Sequence, residues 1–149
     1  MKRLILAVFL LCGVGYAKDF IMVDLEKIID SIDFTQELDN DIEFSFGSGS
    51  EAEIIASEEV KRGASKKSGK FKKSISGKTY QFFAFEKPCG YALIKDLKKL
   101  SKEALKQGGS KVINITSSDG DNIIDEKEKF ACIVKKNRVQ VRLNADIAK

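Results

Sequence analysis

The run from Pro88 to Gln107 carries the clearest helical period in the chain. Leu93, Leu97, Leu100 and Ala104 recur at i, i+4, i+7 and i+11, which makes one apolar stripe, while Lys95, Lys98, Lys99 and Lys102 occupy other faces. Pro88 suits a first helical turn, and Gly108-Gly109 a C-terminal stop. Strand patterns flank this helix. Asp41 to Phe46 alternates polar and apolar positions, as a half-buried strand does. Gly47-Ser48-Gly49-Ser50 reads as a turn and Glu53–Val60 as the partner strand, so the pair predicts a hairpin. Residues 19–30 are rich in Ile, Val and Phe and read as a first strand, although Leu25, Ile28, Ile29 and Ile32 also fit a helical stripe. Asp33, with Gln36 three residues on, predicts a capped short helix ending near Asp39. The aromatic run 79–86 fits either a strand or the lead-in to the long helix. Beyond that helix, Lys111–Ser117 is a β-branched strand and Ser118–Asn122 a turn. Residues 129–135 and 138–144 close as a hairpin across Lys136-Asn137, with Val139, Val141 and Leu143 on one face. The pattern predicts one α+β domain: a mostly antiparallel sheet with one long amphipathic helix packed on it.

The first seventeen residues break from this pattern. Met1-Lys2-Arg3 is a short positive stretch, Leu4–Val14 is apolar without a charge, and Gly15-Tyr16-Ala17 sets small residues at −3 and −1 of a cut before Lys18. This is the composition of a secretory signal peptide, and it is too short for a stop-transfer helix. The expected location is the periplasm, with no transmembrane segment once the signal is removed. Lipidation of Cys12 is the alternative, but Leu11 stands where a lipid acceptor follows a small residue. Cleavage leaves 132 residues in a single domain, 18–149, and removes two of the charges behind the formal +4. It also leaves two cysteines, Cys89 and Cys132. In an oxidising compartment they are expected to pair. In the chain-entropy model, closing so long a loop stabilises the fold by roughly 3–4 kcal/mol.

Composition narrows the chemistry. Hydrophobic residues at 43% are enough for a core. No histidine is present, which excludes a Ser-His-Asp triad, a Cys-His dyad and any His-bearing zinc site. Charge is unevenly spread. Asp24 to Glu59 holds twelve acids against Lys27 alone, whereas 61–78 holds seven lysines and Arg62 with no acid. That segment reads as a basic loop. Lys61, Arg62, Lys66, Lys67, Lys70, Lys72, Lys73 and Lys78 are the candidate contacts for an anion or partner, by salt-sensitive attraction of low specificity. An envelope protein, an anionic lipid or a polysaccharide would fit. Nucleic acid fits poorly with export, and only Phe71 and Tyr80 offer stacking nearby. Gly77-Lys78-Thr79 ends like a P-loop, but Lys72 stands where the motif needs glycine, so ATP is not expected. Asp119-Gly120-Asp121-Asn122 reads as a polar turn and lacks the spacing of an EF-hand loop. An exported carboxylate- or metal-dependent hydrolase would have to draw on residues 119–128, including Asp125, Glu126 and Glu128. Cys89 at a helix start has no histidine or CxxC partner for redox work.

Several of these features occur together elsewhere. They are the export signal, Cys89 at a helix start, the helix to Ala104 and Gly108, the strand Val112-Ile113-Asn114-Ile115, Cys132 in a late strand and a Val/Leu-rich closing strand. Together they resemble a family of short exported bacterial proteins often labelled "excinuclease ATPase subunit". The chain has no intact Walker motif that would match that label. At fold level, the helix leading through a glycine turn into a core strand is similar to YbjQ-like domains and to the Rcs stress-sensor lipoprotein. Gly108-Gly109-Ser110 departs from their turn. The resemblance implies a periplasmic α+β domain and supplies no catalytic residue. The expectation is a non-enzymatic envelope domain without a cofactor.

Overall fold

The structure, a computed structural model, describes residues 19–31, 38, 41–64, 79–135 and 138–149, with the backbone alone for 31, 63–64 and 79–86. Along the chain run β1 (Phe20–Asp24), α1 (Leu25–Ser31), β2 (Glu43–Phe46), β3 (Ile54–Ala64), α2 (Thr79–Lys106), β4 (Lys111–Ser118), β5 (Ile123–Ile124), β6 (Lys129–Val134) and β7 (Val139–Ala148). The domain is α+β, as the pattern predicts.

The last strand organises the sheet. In β7, Val139, Val141, Leu143, Ala145 and Ile147 are buried, while Gln140, Arg142, Asn144 and Asp146 are half-exposed on the other face. This is the period of two that a strand covered on one side requires. β3 pairs antiparallel along all of β7, from Ile54↔Ala148 to Ala64↔Val139. The opposite side of β7 is shared. β6 takes Val139 and Gln140, and β4 takes Leu143 to Ala148. β1 pairs antiparallel with β6, β2 parallel with β4, and β5 with the end of β4. α2 lies across one face, over β3 and β7. Its Leu93, Leu97, Leu100 and Ala104 share one core with Val60, Phe130, Val141, Leu143 and Ile147. At its end, Gly108 takes a positive φ of 73° and the Gly109 N–H donates to the Ala104 carbonyl at 2.8 Å. A Cβ on Gly109 would lie 2.6 Å from Ile147 Cγ2, so helix and β7 meet there with no room for a side chain.

Four sequence expectations need correction. Residues 19–30 form β1 and then α1, so each of the two competing periods holds for half of the segment. Strands β2 (Glu43–Phe46) and β3 (Ile54–Ala64) fall where Asp41–Phe46 and Glu53–Val60 are predicted, but they do not form a hairpin. The sheet order there is β2-β4-β7-β3, with two strands between them. Gly47 to Ser50 does not turn back, because Gly47 N–H donates to the Ile115 carbonyl and Ser50 N–H to Asn114 Oδ1, both on β4. Pro88 is not in the first turn. α2 begins at Thr79, and Pro88 leaves one carbonyl inside the helix without its usual N–H. The basic segment starts as strand, since β3 runs on to Ala64. The short helix after Asp33 and the segment 65–78 fall outside the described residues.

Candidate functional site

Cys89 on α2 and Cys132 on β6 form a disulfide with a Cα–Cα distance of 5.9 Å. Both are fully buried. The bridge joins the helix layer to the sheet across a sequence separation of 43 residues.

Beyond the bridge, the side of α2 next to β3 forms a basic groove. Arg62, Lys95, Lys98, Lys99 and Lys102 line a depression of about 230 Å³. The four lysines lie at i, i+3, i+4 and i+7, so one side of the helix carries all four. Arg62 reaches the groove because even-numbered residues of β3 share the helix side with Val60.

Asp96 lies beneath this row, in the apolar stripe between Leu93 and Leu100. It is fully buried, and among the described residues neither carboxylate oxygen has a hydrogen bond of ordinary geometry. Burial pushes its carboxyl up to about 8, while the nearby Arg62 charge and backbone and the Lys99 charge pull the other way. At neutral pH the protonated form therefore predominates, and Asp96 offsets little of the positive charge above it.

Of the predicted contacts, Arg62 lines the groove. Lys61 points to the opposite face of β3, where its Nζ pairs with Glu59 at 3.0 Å. Lys66, Lys67, Lys70, Lys72, Lys73 and Lys78 lie outside the described residues. The four helix lysines and Asp96 were not among the sequence candidates. Their spacing was a usable signal: 95, 98, 99 and 102 make a second stripe, and 96 falls within the first.

The acidic region is differently arranged. The Asp119 carboxylate accepts from the N–H groups of Asp121 and Asn122 and so closes its own turn. Asp125 accepts from the Ser48 N–H at 2.8 Å and from the Ser48 hydroxyl, which hold its carboxyl below the usual range. Among the described residues, no group of three or more carboxylates and cysteines is placed to hold a metal ion. No described helix is long and apolar enough to cross a membrane.

A second depression, of about 740 Å³, lies between α1 and β2, with Ile29, Phe44 and Phe46 facing Asp24, Asp30 and Lys127. No family model matches the chain, and no curated protein or solved structure shows significant similarity to it.

Proposed function

We propose that this protein is an exported, non-enzymatic envelope domain that binds an anionic envelope component through the α2–β3 groove. The observation that carries this reading is the lysine row on α2, joined by Arg62 and underlain by a carboxyl that stays largely protonated at neutral pH. Such a surface attracts phosphate or carboxylate groups, with an affinity that falls as salt rises. The basic segment 61–78 begins on β3, where Arg62 lines the groove, and its sequence carries seven lysines. Export is supported by the first seventeen residues and by the Cys89–Cys132 bridge, since disulfides persist in oxidising compartments.

The test is binding to phosphatidylcholine vesicles with and without phosphatidylglycerol, and to lipopolysaccharide, over a salt series. Replacing Lys95, Lys98, Lys99 and Lys102 with Gln is expected to weaken binding by at least about tenfold, because each lysine near an anionic surface contributes about 1 kcal/mol. A parallel variant with Lys66, Lys67, Lys70, Lys72 and Lys73 changed to Gln measures the share of the basic segment. Binding that neither variant alters would sink the proposal. Preference for lipopolysaccharide over the lipid vesicles would identify the polysaccharide-linked phosphates as the target.

A further inference from the structure

Asp96 is a carboxyl at an apolar position of α2, fully buried between Leu93 and Leu100. An ionised carboxylate in such a place is destabilising unless cations offset it. Among the described residues, the two cations that act on Asp96 are Arg62 of β3 and Lys99, one turn along the helix, and the Arg62 backbone also lies against the carboxyl. Both cations line the groove above it, with Lys95, Lys98 and Lys102. The other elements packed on α2 bring no second charge to this place. On the helix side of β3, Glu58 is held at the far end of α2, where its Oε1 accepts from Gln107 Nε2 at 3.0 Å. β7 faces the helix with Val141 and Leu143, and β6 joins it through the disulfide. α1 turns Leu25 and Ile28 to the core and leaves Glu26, Lys27 and Asp30 exposed. Asp96 and the groove therefore share the same pair of cations.

We infer that Asp96 couples the groove to a proton: a multivalent anion is held tightly while this carboxyl is neutral and loosely once it ionises. The coupling rests on the anion-binding role proposed for the groove. A neutral Asp96 leaves Arg62 and Lys99 to the ligand. An ionised Asp96 offsets part of their charge and repels the ligand from beneath. Linkage makes the effect reciprocal. An anion seated on Arg62 and Lys99 offsets the two charges that favour the ionised carboxylate, so the site takes up a proton from solvent as it fills. Burial sets the midpoint of the empty site at about 8, so the groove is at full strength near neutrality and weakens in alkali.

The spacing of the row defines the class of ligand. From Lys95 to Lys102 the helix advances about 10 Å, at roughly 1.5 Å per residue, which is longer than one phosphate or sulfate group. A ligand that engages the whole row carries several such groups along its length. A soluble polyanion and a surface of anionic head groups share this chemistry, and both feel the charge on Asp96 through Arg62 and Lys99.

The experiment is calorimetric titration of the disulfide-bonded protein with inositol hexasulfate, whose sulfate esters stay ionised throughout, at about pH 6.5 and about pH 9 and constant ionic strength. Native protein is expected to bind at least about fivefold more weakly at the higher pH, the low end of ordinary coupling between two sites. Asp96→Asn cannot ionise. It is expected to match the native chain at the lower pH and to bind at least about fivefold more tightly than it at the higher. Loss of lysine charge is common to both chains and cancels in that comparison. Between these pH values, titration in two buffers of different ionisation heat is expected to show more proton uptake by the native chain than by Asp96→Asn. Carbon NMR of the Asp96 carboxyl needs no variant: its titration midpoint is expected to rise when inositol hexasulfate is added. The same pH dependence on phosphatidylglycerol vesicles extends the coupling to surface head groups, and its restriction to the soluble anion assigns the groove to free polyanions; both support the inference. Equal loss of affinity in the two chains, or a carboxyl midpoint that the ligand does not move, overturns the coupling and leaves the groove reading intact. No binding of the hexasulfate or the vesicles at either pH overturns both.

Discussion

Asp96 sits in the apolar stripe of α2, and among the described residues neither oxygen has a hydrogen bond of ordinary geometry. Its carboxyl is pushed from 3.8 to about 8, so the folded chain keeps this proton where an unfolded chain releases it. The sign follows from linkage. Between pH 3.8 and about 8 the folded state binds more protons, so stability falls as pH rises through that window and is level above it. At about 1.4 kcal/mol per pKa unit the loss reaches several kcal/mol. Asp96→Asn keeps the shape and cannot ionise. It is expected to match the native protein near pH 4 and to exceed it by several kcal/mol at pH 9, measured by denaturant unfolding at both values. Equal stability at pH 9 would show that Asp96 does not bear this cost. Asn114 is the other unusual residue. It holds φ at 52° where the β4–β7 register shifts, and its amide donates to Asp146 Oδ2 at 2.9 Å. Asparagine tolerates this left-handed region better than most residues. Nothing in the run Val112 to Ile115 marks that position, because a bulge depends on the partner strand.

At the scale of elements, α2 does two jobs with two stripes. Leu93, Leu97, Leu100 and Ala104 bury it against the sheet, and Lys95, Lys98, Lys99 and Lys102 present charge beside β3. Both stripes follow from 3.6 residues per turn and are legible in the order of residues alone. What the groove needs besides is Arg62 from β3. That neighbour is not legible in the same way, because helix periodicity says nothing about which strand lies alongside. The disulfide is legible for a different reason: the proposed export would leave Cys89 and Cys132 as the two cysteines, and an oxidising compartment favours pairing. Its place, from α2 to β6 in a fully buried setting, ties the two layers. Replacing Cys89 and Cys132 together with Ser is expected to lower stability by about 3–4 kcal/mol. Urea unfolding of the oxidised native protein and the double variant measures it, and a difference under about 1 kcal/mol would mean the layers hold without the bridge.

For the whole molecule, the decisive element is β7. It is last in the chain yet pairs with β3, β4 and β6, and it supplies Val139, Val141, Leu143, Ala145 and Ile147 to the core. Deleting Val139–Lys149 is expected to abolish cooperative thermal unfolding, seen as loss of a single sharp transition by circular dichroism. A retained transition would show that the rest of the sheet folds alone. Much of this molecule is determined by its sequence alone: the long helix from Pro88 onward and its stop at Gly108-Gly109, strands within 41–46 and 111–118, the final hairpin, the α+β class and the absence of histidine chemistry. These are local properties, set by side-chain period, turn residues and composition within a few neighbours. Tertiary structure decided the rest. It determined that β2 and β3 lie on opposite sides of β4 and β7, that β3 continues into the basic segment, that Arg62 joins the helix lysines, and that Asp96 is sealed beneath them. A half-buried strand has the same alternating pattern whichever strand it pairs with. Partner choice is set by how all the apolar faces can be covered at once, and only the assembled core resolves that.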